Sequence, residues 1–187
     1  MSWPVPPSAS PAERLAHLDR EVIAPALRDL RAGRLGWVDV AVESVLRRSR
    51  AGADLRVICD AVCALTRPLY RPDDGADTFA DVSESMAWGD DCEGLAACAV
   101  VILAGIARRA AWAAGVRGVP CWLVFPGAPS DHVALAVAGL EEAPTIPRRV
   151  LLPSEDLPPG WSWCDPSFAV PFGEHPVRWS MKRRGGG

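Results

Sequence analysis

Residues 88–110, WGDDCEGLAACAVVILAGIARRA, set one cysteine among Asp90, Asp91 and Glu93 and then run into apolar sequence. The apolar run, 95–107, has 13 residues, too few for a membrane span of ~20 and too many for an ordinary strand. It predicts a helix buried within a protein core, from about 92 to 114, ended by Gly115. Asp90 or Asp91 can cap its first turn. Cys92 then stands at a helix N-terminus, where free N–H groups favour a thiolate while three carboxylates oppose it.

Upstream, the spacing predicts three more helices. The first follows Ser10-Pro11, carries Leu15, Leu18, Val22, Leu27 and Leu30 on one face, kinks at Pro25 and stops at Gly33. The second covers about 37–50 and the third 54–66, ahead of Pro68. Residues 67–91 read as an acidic loop, and 73–84 within it fail a calcium-loop pattern because Thr78 stands where Gly is needed. Downstream the period changes to 2. Short runs at 119–125, 132–137, 148–152 and 161–166 between Pro, Gly and Asp predict antiparallel strands. Helices first and strands later make an α+β fold. The organisation expected is a flexible arm over 1–10, a helical extension over 11–52, a main domain over 53–180 and a disordered tail over 181–187.

Composition narrows the classes. The 187 residues are 49% hydrophobic and 23% charged, with net charge −3, which suits a folded protein and gives no basic field for nucleic acid or an anionic membrane. Arg47-Arg48 and Arg148-Arg149 are expected to be solvated. The six cysteines are too sparse for a stapled scaffold, and no secretory leader is evident, so reduced thiols and a cytoplasmic location are expected. Cys59-x3-Cys63 lacks a second ligand pair, so no metal and no cofactor is expected. Cys59, Cys63, Cys98, Cys121 and Cys164 are read as packing residues. Most of the eight tryptophans belong to apolar runs, while Trp88 is close enough to Cys92 to line a cleft.

Of the three histidines, His17 lies in the first helix and His175 in a late loop expected at the surface. His132 opens the strand DHVALAV directly after a turn. Asp165 ends the aromatic strand GWSWCDPS, which Pro166 must break. Cys92 on a helix and His132 and Asp165 on neighbouring strands suit nucleophilic catalysis: the imidazole takes the thiol proton and the carboxylate orients the ring.

GDDCEGLA, AGVRGVPCWLVF, DHVALAV and GWSWCDPS, in that order, resemble the transglutaminase-like cysteine peptidase superfamily across about 54–172. VICDAVCALTRPLYRPDDG is similar to the helix and Tyr-containing loop that precede the nucleophile in small prokaryotic and phage members. The resemblance implies a papain-like core, with the Cys helix packed on an antiparallel sheet. Cys92 is implied as nucleophile, His132 as general base and Asp165 as its orienting group, with Tyr70 and Trp88 beside the cleft. The family usually has Gly two residues before the Cys; here Asp90 stands there, with Gly89 one place earlier, which shifts the turn.

The function expected is thiol-dependent acyl chemistry on a protein or peptide substrate: hydrolysis of an amide, peptide or isopeptide bond, with transamidation open. The alternative is a non-catalytic structural or interaction module on the same fold, for instance in a phage or phage-derived particle, using the N-terminal helices to dock a protein partner. Another papain-like amidase is a third option, with a poorer fit to WCDPS.

Overall fold

The computed structural model describes residues 3–4, 8–49, 54–72, 78–109, 116–124, 131–139, 148–152 and 154–179. The expected helix end at Gly115, the loop residues 73–77 and the tail 181–187 lie outside the described residues.

The first helix begins as α1, Pro11–His17, closed by a capping box in which Ser10 and Glu13 satisfy each other's backbone N–H groups. It continues as a π-helical segment, Leu18–Ile23, and then as α2, Ala24–Arg31. Where a kink at Pro25 is expected, the helix widens to a π register just before the proline. The Ala24 N–H reaches back to the Asp19 carbonyl, and opening the helix just before a proline relieves the clash of its ring with the preceding turn. Then come α3, Gly36–Arg48, and α4, Leu55–Thr66, the latter capped by Asp54.

Within the stretch read as a loop, the described residues include a strand and a helix. Thr78–Phe79 form β2, paired antiparallel with Trp3–Pro4, which is β1 within the expected arm. Val82–Trp88 form α5, whose N-cap Asp81 accepts from the Ser83 and Glu84 N–H groups. The sequence signal for α5 is Asp81 with Glu84 three residues on, an N-terminus signature hidden among other acids.

The helix that opens at the thiol is α6, Cys92–Arg109, and every residue from 94 to 103 is buried. A helix apolar on all sides needs neighbours on all sides. They are α2 to α5 and the π segment on one flank, and β3, Val116–Leu123, with β4, His132–Gly139, on the other. Gly105 lets α3 approach: a Cβ there would sit 2.8 Å from Val42. Among the described residues no helix is long and apolar enough to cross a membrane.

The sheet runs β5-β3-β4-β6, with β5 at Val150–Leu151 and β6 at Ser162–Cys164. It is mixed, which corrects the all-antiparallel expectation: β5 is parallel to β3. Its cause is connectivity. β4 ends at Gly139 opposite Val116, and β5 starts beside Trp122, so the chain travels the length of β3 before pairing in the same direction. Trp122, Val133, Leu135, Val137 and Cys164 pack toward α6, while Cys121, Leu123, Ala134, Ala136 and Trp163 form the other face with Trp161 and Val177. The architecture is α+β, with helical and strand residues sharing one core around α6.

Candidate active site

Cys92 is presented by a tight junction between α5 and α6. Gly89 has φ +84°, and a Cβ there would collide with the Leu69 carbonyl and the Arg71 side chain. The backbone must pass that close because Asp90 is bonded to the chain before it: its N–H goes to Leu69 O at 3.1 Å, and the Arg71 N–H donates to Asp90 O at 2.8 Å. The glycine that frees this turn is therefore Gly89, three residues before Cys92. Asp91 is the N-cap, its Oδ1 accepting from the Glu93 and Gly94 N–H groups at 3.1 and 3.3 Å. Asp90 folds back over Gly94, a position with no room for any Cβ, and takes the Ser85 hydroxyl at 2.5 Å.

These acids set the thiol's state. Burial, then the charges of Glu93 and Asp91, push the Cys92 thiol well above its ordinary range. The sulfur donates to Glu93 Oε2 at 2.8 Å and receives the Val133 N–H at 3.4 Å. Asp91 is itself pushed up to about 8, first by burial and then by Glu93 and Asp90. The Cys92 thiol and the Asp91 carboxyl that caps its helix thus both favour keeping their protons.

His132 and Asp165 meet as the strand order implies. His132 Nε2 lies 2.8 Å from Asp165 Oδ2, and both residues are buried. Asp165 Oδ1 accepts the Ser167 and Phe168 N–H groups at 3.0 and 2.9 Å. From behind, the Arg67 guanidinium grips Asp165 O and Val170 O, and the Thr66 hydroxyl donates to Pro166 O at 2.8 Å. With Nε2 engaged by Asp165, Nδ1 is the nitrogen left for a thiol.

The link between Cys92 and this dyad is indirect. Val133, the residue after His132, touches the sulfur, yet among the described residues no hydrogen bond joins the Cys92 sulfur to the His132 ring. Register explains it. His132 pairs with Leu123, so alternation sets it with Ala134 and Ala136, on the face away from α6. Contact with the thiol has to be made around the end of β4.

That end is closed by aromatic rings. Phe168 packs against His132 and Tyr70, with ring centroids 4.9 and 4.8 Å away. Tyr70 pairs with Asp90 as an isolated bridge, and burial, followed by the charges of Cys92, Asp91, Glu93 and Asp165, raises its phenol. Tyr70 therefore belongs to the site, whereas Trp88 is 74% exposed at the end of α5 and takes part in none of these contacts. Phe168 was missed in the sequence, where it reads only as an aromatic after a turn.

The other thiols pack as expected: Cys59, Cys63, Cys98, Cys121 and Cys164 are all buried. Cys63 and Cys164 come within 3.3 Å, sulfur to sulfur. Among the described residues no group of three or more His, Cys, Asp and Glu could hold a metal ion. His175, expected at the surface, is buried, because its ring packs edge-on to Trp163 and its Nδ1 takes the Val177 N–H. Arg149, also expected to be solvated, binds the Asp19 carboxylate and Pro120 O.

Comparison with family models, with curated proteins and with solved structures finds no match to this chain.

Proposed function

We propose that this chain is a thiol-dependent acyl-transfer enzyme with a transglutaminase-like core, in which Cys92 attacks an amide carbonyl and His132, oriented by Asp165, receives the thiol proton. The reading is carried by the buried His132–Asp165 pair at 2.8 Å, placed one residue from the amide that touches the Cys92 sulfur. A buried carboxylate with two backbone N–H donors and a fixed loop is costly to build for packing alone. It suits a group that must hold one tautomer of an imidazole. The attack forms a C–S bond and expels an amine, which takes its proton from the imidazolium. Water or a second amine then resolves the thioester, giving hydrolysis or transamidation of a peptide or isopeptide.

In this scheme the thiol has two hydrogen-bond partners in turn. At rest it donates to Glu93. For reaction it rotates toward Nδ1 of His132, around the end of β4. Substrate entry between Phe168 and the first turn of α6 would drive that rotation by occupying the space beside Glu93.

The reading is tested by the rate of Cys92 alkylation by iodoacetamide across pH, followed by peptide mass spectrometry. Faster labelling near neutral pH than an unperturbed thiol of pKa ~8.5, lost in His132→Ala, is expected. Labelling that is slow and indifferent to His132 overturns it.

A second reading is a non-catalytic structural or interaction module on the same fold, bound by a protein partner, for instance in a phage or phage-derived particle. The Cys92–Glu93 contact and the raised thiol favour it, since both keep the sulfur protonated. It predicts that Cys92→Ala leaves partner binding unchanged.

A further inference from the structure

Among the described residues, Phe168 is the one large aromatic in contact with the dyad that is open to solvent. It is 41% exposed, yet its backbone is fixed on both sides: its N–H goes to Asp165 Oδ1 at 2.9 Å and its carbonyl accepts the Val170 N–H at 2.8 Å. Its ring leans on His132 and on half-buried Tyr70, with interplanar angles of 43° and 56°. An open apolar ring normally gains by being mobile or by being covered. This one is held in place by the same carboxylate that orients the imidazole, so its position is coupled to that of the dyad.

We propose that Phe168, with Tyr70, forms the wall of a subsite for the acyl donor, and that the donor carries an aromatic or large apolar side chain next to the scissile carbonyl. This deepens the thiol acyl-transfer reading and rests on it. The wall is already ordered, so a ring docking there does not have to fix it, and tilted aromatic packing at 4.5–7 Å extends the row Tyr70–Phe168–His132 by one member. The charges nearby set the sign of the preference. After burial, nearby acids that include Glu93 and Asp165 raise the Tyr70 phenol, and the same carboxylates repel an anionic donor side chain. The polar rim and apolar wall together select a neutral, ring-bearing donor.

The test uses the full chain and three reagents that differ only in the group on nitrogen: 2-chloroacetamide, N-methyl-2-chloroacetamide and N-benzyl-2-chloroacetamide. In each, the Cys92 sulfur displaces chloride, the S–C bond replacing C–Cl and the thiol proton leaving to base. Second-order rates at Cys92 are read by peptide mass spectrometry. The benzyl reagent is expected to react about tenfold faster than the methyl one, with the ratio falling to about 2 in Phe168→Ala and staying near 10 in Tyr70→Phe, which keeps the ring. Should Phe168→Ala not fold, Phe168→Leu reads the same ratio, expected between those limits. A benzyl-to-methyl ratio near 1 in the unaltered protein overturns the subsite. The absolute rate with 2-chloroacetamide, and its change in His132→Ala, reports on thiol activation separately, so failure of the one is not mistaken for failure of the other.

Discussion

The Cys92 thiol donates to Glu93 Oε2 at 2.8 Å, while the imidazole of His132 is held on the other side by Asp165 at the same distance. The proposed nucleophile and base are each occupied, and by different carboxylates. A reactive site of this kind is gated by what moves the sulfur, because the base is already oriented.

Glu93→Gln should therefore speed the reaction of Cys92 with iodoacetamide. Glu93 is the largest charge raising the thiol, and removing it lowers the pKa of the sulfur. A rise of several-fold in the labelling rate at pH 7.5, with the pH midpoint moved down, is expected from mass-spectrometric rate measurements. An unchanged midpoint would show that the Glu93 charge does not control the thiol.

Stability should decline with rising pH because of Asp91. Its carboxyl is raised from the usual range to about 8 in the fold, so the native state holds a proton that the unfolded chain has already lost between about pH 4 and pH 8. Folding stability contributed by this group is fully present below pH 4 and disappears as pH climbs through 8. Asp91→Asn keeps the helix cap, since Asn caps as well as Asp, and cannot ionise. Melting temperatures measured from pH 5 to pH 8.5 should fall in the unaltered protein and run flatter in Asp91→Asn.

Gly89→Ala should cost about 1–3 kcal/mol of stability. The residue has φ +84°, and its new methyl would meet the Leu69 carbonyl, which belongs to the strand-like contact holding Asp90. Urea unfolding read by tryptophan fluorescence checks it, and a variant as stable as the parent would show that the junction relaxes. Gly33→Ala, at φ +70° but with nothing within 4 Å of the added carbon, isolates the backbone component and should cost less.

Asp165→Ala should cost about 2–4 kcal/mol, through the loss of a buried charged acceptor for His132, Ser167 and Phe168. It should also remove any difference in Cys92 labelling between His132 and His132→Ala backgrounds. A double-mutant cycle over the two positions measures that coupling, and additive effects would separate the dyad from the thiol.

The apolar run 95–107 announced α6, and a cap from Asp90 or Asp91 was legible from their place before it; Asp91 is the one that caps. His132 and Asp165 could be paired from strand order because each lies at a strand end, where a polar side chain escapes the core. What could not be read was set by long-range geometry. Parallel β5 depends on how far the chain runs after Gly139, and the π register on how a helix absorbs Pro25. Helix α5 was masked by composition, since the acids that suggest a loop are the same ones that cap it. The partner of the thiol is a matter of rotamer, which spacing does not determine: Glu93 is adjacent in sequence and won over His132, forty residues away.

One feature of α4 reaches further than packing. Thr66 and Arg67, at its end, hold Pro166, Asp165 and Val170 by backbone carbonyls, and the chain then continues through Tyr70 to the Asp90 bridge. Residues 66–71 are thus a splint between the two halves of the candidate site, fastened at one end to the carboxylate loop and at the other to the turn that presents the sulfur. A fragment beginning at Cys92 would keep all three chemical groups and lose the part that fixes the distance between them.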